Sequence, residues 1–184
     1  LAGAHGPTSP QAEGQLELSL RNSRRLLRLV NQLLDVARIE SGQMKLLASR
    51  RDLVPFVDGI CLAFVPLAER NSVAFNRLLP GDPIFAYFDP DLLEKVLINL
   101  LSNAFKFTPP GGTVRVSLTT EPPTDDPEGA TAMAVIEVRD NGPGIASEHL
   151  PHLFERFYRV RGQGHRKGTG IGRSLARELS ELHG

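Results

Sequence analysis

The sequence has one cysteine and no excess of charge of either sign. The single cysteine, Cys61, excludes an internal disulfide and a metal site framed by thiolates. Lysine and arginine together number 21, as do aspartate and glutamate, so the formal net charge is zero. This balance removes the usual electrostatic argument for a nucleic-acid or membrane-surface binder. Charged residues interrupt every apolar run well before the roughly 20 residues of a membrane span, and no signal peptide opens the sequence. We therefore expect a soluble, cytoplasmic module.

The size and composition of the chain set further limits. Hydrophobic residues make up 41% of the 184 residues and charged residues 23%, so a core can form and global disorder is excluded. This length accommodates one ordinary domain with an appendage.

The first part of the chain predicts a tail followed by a long helix. Residues 1–15 mix small residues, Gly and Pro without periodicity and are expected to be a loop or disordered tail. In the segment 16–48, Leu20, Leu27 and Leu34 recur every seven residues within a wide apolar stripe. The pattern favours a helix of a helical bundle, and Gly42 is a plausible stop signal. A surface helix packed on the following domain is the alternative.

The segment 49–184 predicts an α+β domain with helices on one face of a sheet. Asp52 and Asp89 are expected to be N-caps of two helices with apolar faces. Four segments read as strands: 73–79 and 84–88, joined by the turn 80–83, and the strand pair 113–120 and 132–139. The loop between the last two, residues 121–129, is acidic and proline-rich. A final helix ends near His183, which gives the order α-β-β-α-β-β-α.

Three polar residues lie on one face of the otherwise apolar helix that follows Asp89. Asn99, Asn103 and Lys106 are spaced i, i+4 and i+7, one turn apart. An amide oxygen is a ligand for a hard cation, and an ammonium group is a partner for phosphate. The alternative is a solvated helix face, which three polar residues alone would favour.

Two glycine-rich segments follow this helix. Residues 140–145 (DNGPGI) come directly after a strand, and residues 168–172 (GTGIG) lead into the last helix. The first could present a carboxylate to a base amino group, and the second could hold phosphate with backbone N–H groups. Each could equally be an ordinary turn. Together with the Asn-containing helix, in this order, they form a much narrower pattern.

These motifs resemble those of sensor histidine kinases of two-component systems. NLLSNAFKFTPPGG (residues 99–112) resembles the N box, DNGPGI the G1 box, LFERFYRV (residues 153–160) the F box and GTGIG the G2 box. Residues 22–42 are similar to the second helix of the dimerisation and phosphotransfer hairpin. The resemblance implies a Bergerat (GHKL) two-layer α/β sandwich with a mixed sheet, preceded by one long helix of a dimerisation hairpin or four-helix bundle.

The resemblance also implies a role for each matching residue. Asn103 would coordinate Mg²⁺ with support from Asn99, Lys106 would contact phosphate, Phe107 would lie against the nucleotide, and Asp140 would bind the adenine amino group. The other residues implied to bind ATP are Gly142, Gly144 and Ile145 around the base, Phe154, Arg156 and Arg159 of the F box, Lys167 of a lid formed by residues 161–167, and Gly168, Thr169, Gly170, Ile171 and Gly172 along the phosphates. Phe157 also falls in the F box.

The implied function is transfer of the ATP γ-phosphoryl group, with Mg²⁺, to a histidine on a separate helix and then to a response-regulator aspartate. The implied partners are a second copy of the protein, through the hairpin, and a receiver domain. Nucleic acid is not among them, and any membrane anchor would belong to segments outside this sequence. Alternatives are a GHKL-type ATPase and a nucleotide-binding pseudokinase scaffold. Hydrolytic relatives carry a catalytic Glu at the position of Asn99, which argues for the kinase.

Departures from the family pattern lead to two further expectations, one about Arg173 and one about autophosphorylation. Arg173 stands where an apolar residue is usual, and it either adds a phosphate contact or weakens the packing of the last helix. The resemblance places two closing strands after residue 184 and a phosphoacceptor helix outside this stretch. The sequence context of a phosphoacceptor is missing at every histidine: His5, His149, His152, His165 and His183. This stretch alone is therefore expected to be inactive in autophosphorylation.

Overall fold

The computed structural model describes residues 10–121, 133–159 and 170–183. The chain forms two compact units, of which the first ends at Met44 and the second begins at Lys45. The second unit begins four residues before the expected boundary. Leu47 already belongs to it, because its N–H group donates a hydrogen bond to the Asp89 carboxylate at 2.9 Å.

The first unit contains one long helix, α1 (Pro10–Glu40). It begins earlier than the sequence predicts, since residues 10–15 are expected to belong to the tail. Proline is favoured in the first turn of a helix, and the following Gln, Ala and Glu are good helix formers. The helix also ends before residue 48. Gly42 has a φ of 64° and its N–H donates to the Ile39 carbonyl, which confirms it as the stop signal.

Within its described residues, the second unit contains five strands and three α-helices. Asp52 and Asp89 are N-caps, as predicted, each accepting hydrogen bonds from the first turn of its helix. The elements in chain order are β1 (Ser49–Asp52), α2 (Leu53–Asn71), β2 (Ala74–Leu78), β3 (Phe85–Phe88), α3 (Pro90–Phe107), β4 (Thr113–Glu121), β5 (Met133–Asp140), a short 3-10 helix (Ser147–His149) and α4 (Gly172–Glu181).

The strands form a mixed three-stranded sheet and a two-stranded ribbon. In the sheet, β4 lies between β2, to which it is parallel, and β5, to which it is antiparallel. The ribbon pairs β1 with β3 in antiparallel register. The turn at residues 80–83 therefore connects the sheet to the ribbon and does not join two paired strands.

The core lies between the sheet and helices α2 and α3. Alternate residues of β4, Val114, Val116 and Leu118, are at most 2% exposed, while the residues between them are polar. Phe105 of α3 stacks on Phe64 at 5.7 Å and meets Phe75 edge-on at 5.0 Å between ring centroids. Helix α4 packs on α3. The predicted α+β architecture is confirmed.

Candidate functional site

The polar residues of α3 are partly buried. Asn99, Asn103 and Lys106 each have intermediate exposure, which counts against a fully solvated helix face. The Asn99 side-chain amide donates a hydrogen bond to the Lys95 carbonyl at 2.9 Å. The Lys106 ammonium lies 4.7 Å from the centroid of the Phe107 ring. The face thus presents amide groups followed by a cation at the C-terminal end of the helix.

The turn after β5 is held against the C-terminal end of α3. The Asp140 carboxylate accepts a hydrogen bond from the N–H of Gly142 at 2.9 Å. A β-carbon added at Gly142 would lie 3.2 Å from the Phe107 carbonyl oxygen and 2.7 Å from the Asp140 carboxylate. A larger residue here would require the Asp140 side chain and the turn to shift. The structure therefore brings Asp140 next to the predicted metal-binding helix, with its side chain exposed.

Asn141 positions the same turn and was not singled out in the sequence. Its side-chain oxygen accepts a hydrogen bond from the Thr113 N–H at 2.7 Å, and its own N–H donates to the Thr113 carbonyl at 3.2 Å. These bonds attach the turn to the first residue of β4. The tripeptide Asp-Asn-Gly predicts a turn and nothing more. The hydrogen-bond partner of Asn141, Thr113, could therefore not be inferred from the motif.

The described part of the F box is irregular, and its residues differ in environment. Arg156 is partly buried and pairs with Glu178 of α4 through Nη2 at 2.8 Å and Nε at 3.3 Å. Phe154 is exposed and lies under the Arg177 guanidinium at 5.5 Å. Phe157 and Arg159 are also exposed. Arg156 therefore links the F box to α4 in the protein without a ligand.

The glycine-rich segment before α4 is shaped by Gly170, whose φ is 75°. Ile171 is 2% exposed, so its side chain belongs to the core and only its backbone is available to a ligand. Gly172 is the first residue of α4. The predicted site residues Lys167, Gly168 and Thr169 lie outside the described residues, as do the expected lid 161–167 and most of the expected loop 121–129.

Helix α4 runs back along α3. The last described residue, His183, bonds through Nδ1 to the Leu179 carbonyl at 2.7 Å and through Nε2 to the N–H of Asp89 at 3.2 Å. The end of α4 therefore lies at the start of α3. A ten-residue helix rises about 15 Å, which equals about ten residues of α3. Antiparallel packing of the two helices would therefore bring the start of α4 level with Asn99 and Asn103.

Asp89 anchors this arrangement with a buried carboxylate. Its Oδ1 accepts from the N–H groups of Asp91 and Leu92, and its Oδ2 accepts from Leu47. Burial alone would raise the pKa of this carboxyl group. The three backbone hydrogen bonds and the nearby His183 nevertheless hold the pKa of Asp89 below its ordinary value of 3.8.

Lys106 also lines an open pocket of about 550 Å³ between the ends of α2 and α3, with Arg70 and Ser72. In the described ranges no three His, Cys, Asp or Glu residues gather to hold a metal ion. The metal ligands predicted from the sequence are the side-chain oxygens of Asn99 and Asn103, both on α3. Two neutral amides suit a Mg²⁺ ion that is held mainly by the phosphates of a ligand. No described helix is long and apolar enough to cross a membrane.

Comparisons with known proteins identify relatives along almost the whole chain. Hybrid signal transduction histidine kinase D of Dictyostelium discoideum is 42% identical over 92% of this chain, and the sensor histidine kinase TmoS of Ectopseudomonas mendocina is 38% identical over 92%. These matches span only 11% and 17% of the two relatives. The chain thus corresponds to a small part of either protein.

A solved structure shows the same fold. Full-length ShkA, crystallised in complex with AMPPNP, superposes with a TM-score of 0.75 at 22% identity over 96% of this chain and 35% of its own. A sequence profile for the family described as histidine kinase-, DNA gyrase B-, and HSP90-like ATPase matches residues 88–184. This range contains every predicted site residue. The chain therefore belongs to the family of histidine kinase-, DNA gyrase B- and HSP90-like ATPases.

Proposed function

We propose that the second unit binds ATP between the C-terminal half of α3, the turn at residues 140–144 and the start of α4. The observation that carries this proposal is the contact of Gly142 with the Phe107 carbonyl. This close approach supports a site in which a carboxylate suited to an adenine amino group and amides suited to a phosphate-bound cation serve the same ligand. ShkA, which has this fold, was crystallised with AMPPNP, and this supports a nucleotide as the ligand.

We assign each group a task in this complex. Asp140 accepts a hydrogen bond from the adenine amino group, which a guanine base does not offer at that position. The backbone of residues 170–172 and the N-terminus of α4 bind phosphate oxygens. Asn103 and Asn99 hold Mg²⁺, which neutralises charge on the phosphates. Lys106 adds a cation at the end of α3.

The reaction we propose is transfer of the γ-phosphoryl group to a histidine on a separate helix. Such transfer depends on positioning and charge neutralisation and needs no nucleophile within the nucleotide-binding unit. Asn99 supports this choice over hydrolysis, because its amide cannot act as a general base towards water. The relatives are named histidine kinases, and this also favours the kinase over the ATPase and the pseudokinase scaffold.

The partners we propose follow from the first unit and from the named relatives. Leu20, Leu27 and Leu34 of α1 are each more than half exposed, at 51%, 61% and 51%. They form an apolar stripe suited to another helix, and we assign it to a second copy of this chain. A response-regulator receiver domain would then accept the phosphoryl group from the histidine.

Calorimetric titration with ATP and Mg²⁺ tests the binding proposal. The wild-type chain should bind ATP and discriminate against GTP. Asn103→Ala and Asp140→Ala should each abolish binding and leave the circular dichroism spectrum unchanged. Matched controls are Asn76→Ala on β2 and Asp82→Ala in the turn after it, both at exposed positions. Equal affinity for ATP and GTP would refute the role of Asp140.

A second experiment separates the kinase from the hydrolase. The chain is incubated with labelled ATP together with a separate protein that carries a phosphoacceptor helix of a histidine kinase. Acid-labile label on that helix, with little steady-state release of phosphate, is the expected result. Sustained phosphate release that is lost on mutating a carboxylate such as Glu94 would favour the ATPase, since a positioned base contributes about 10²–10⁴-fold.

A further inference from the structure

Arg173 is the second residue of α4, directly after the segment 170–172. It is partly buried. Across residues 10–121, 133–159 and 170–183 its guanidinium makes no hydrogen bond or ion pair. The two other arginines near this helix are paired, Arg156 with Glu178 and Arg177 with Glu181. Arg173 is therefore the exception among the described cations at α4.

This position is unfavourable for a cation in the protein alone. Burial removes water from the guanidinium and lowers the pKa of Arg173. The first turn of a helix also carries the positive end of the helix dipole, which repels a cation and attracts an anion. A partly buried charge at such a place destabilises the fold unless an anion accompanies it.

The described residues offer Arg173 no carboxylate partner. The two carboxylates of α4, Glu178 and Glu181, are paired with Arg156 and Arg177. In the sequence, residues 160–169 contain two Arg, one Lys and one His but neither Asp nor Glu. An anionic ligand therefore suits this position.

We infer that Arg173 binds the terminal phosphates of the nucleotide. This inference rests on the proposed function, which places phosphate at the same helix N-terminus. A guanidinium can donate two parallel hydrogen bonds to phosphate oxygens, which a lysine ammonium cannot reproduce. Arg173 thus adds a charged contact to a segment that otherwise offers backbone N–H groups, and it favours ATP and ADP over AMP.

The test compares Arg173→Leu, Arg173→Lys and Arg177→Leu. Arg177 lies one turn later on the same side of α4, so its variant removes the same charge from the same helix. Calorimetry with ATP, ADP and AMP should show that Arg173→Leu loses about 10- to 100-fold in affinity for ATP and ADP, the range of a charge-assisted hydrogen bond. The affinity of Arg173→Leu for AMP should be unchanged. Arg177→Leu should bind ATP, ADP and AMP as tightly as the wild type does. Arg173→Lys should fall between Arg173→Leu and the wild type.

Thermal unfolding without nucleotide provides a second readout. Arg173→Leu should raise the melting temperature by a few degrees, because it removes an unpaired cation from a helix N-terminus. Lower ATP affinity together with a higher melting temperature supports the inference. Unchanged ATP affinity in Arg173→Leu, or an equal loss in Arg177→Leu, overturns it while leaving ATP binding intact. Failure of the wild type to bind ATP would overturn the proposed function as well.

Discussion

Phe157 and Gly170 are joined through their backbones. The N–H of Phe157 donates a hydrogen bond to the Gly170 carbonyl at 3.0 Å. Phe157 is one of two described non-glycine residues with positive φ, at 64°. A β-carbon on Gly170 would lie only 2.7 Å from the carbonyl carbon of Phe157. The F box and the segment before α4 therefore fix each other's backbone.

Gly170→Ala should disrupt this contact and weaken ATP binding. Gly170 has a φ of 75°, so alanine incurs the left-handed strain of about 1–2 kcal/mol and also a clash with Phe157. Gly111→Ala is the matched control, because Gly111 has a φ of 80° and open space around its α-carbon. Thermal unfolding and ATP titration should both show a larger effect at Gly170. Equal effects would mean that the close contact has no energetic importance.

Gly142→Ala should impair adenine binding more than folding. The added methyl group would lie against the Asp140 carboxylate and the Phe107 carbonyl, so the turn must move away from α3. The φ of Gly142 is not positive, and the effect is therefore one of space. Gly81→Ala, where no atom lies within 4 Å, serves as control. ATP affinity should fall in Gly142→Ala and stay unchanged in Gly81→Ala; an unaltered affinity in both would contradict this account.

Arg156→Ala and Glu178→Ala should each lower the free energy of unfolding by about 1–3 kcal/mol, the range of hydrogen bonds between charged groups. Their side chains are only 32% and 21% exposed, so each loss leaves its partner partly desolvated. The double variant should be little less stable than either single one, since both remove the same interaction. Denaturant unfolding of the four proteins measures this coupling. ATP affinity lost only in Arg156→Ala would assign Arg156 to the ligand as well.

Acid should destabilise the second unit through Asp89. The pKa of this group is lower in the folded state than its ordinary value of 3.8. The ionised carboxylate therefore stabilises the fold above that value, and this contribution disappears as the pH falls through the lower folded pKa. Asp89→Asn should be less stable at pH 7 by about 1 kcal/mol and should lose less stability than the wild type below pH 3.8. Asp82→Asn, at an exposed position, should follow the wild type; a parallel pH curve for Asp89→Asn would refute the assignment.

Leu27→Glu should prevent association through α1. Leu27 is 61% exposed in the middle of the apolar stripe, and a charge there is incompatible with a helix–helix interface. Arg28→Glu changes the charge at an exposed position about 100° around the helix from Leu27, away from the stripe. Sedimentation should show a dimer for the wild type and Arg28→Glu and a monomer for Leu27→Glu. A monomeric wild type at all concentrations would contradict the assigned interface.

Local signals predicted much of this fold. The segment 113–120, rich in Val and Thr, predicted β4, and the capping residues Asp52 and Asp89 placed the starts of α2 and α3 correctly. The order of the glycine-rich turns also identified the family. In each case the information lies within a few consecutive residues, where side-chain periodicity or capping chemistry determines the structure.

The remaining features depend on partners distant in sequence. β1 reads Ser-Arg-Arg-Asp, with no apolar alternation, and is a strand because it pairs with β3. Arg156 matches the F box, but its pairing with Glu178 follows from the way α4 folds back along α3. The contacts of Asn141 with Thr113 span 28 residues. Tertiary structure decides these cases, and local propensity does not.

The pairing of strands has a consequence for how the second unit folds. β1 pairs with β3, and β2, which lies between them in sequence, pairs with β4. The two pairings interleave along the chain, so the parallel pair cannot form before the whole of α3 and β4 has been synthesised. Contacts of such long sequence separation carry a high loop-closure entropy and slow the folding rate. A nascent chain that has reached only Phe107 leaves β2 without its partner strand, and an unpaired strand edge favours aggregation.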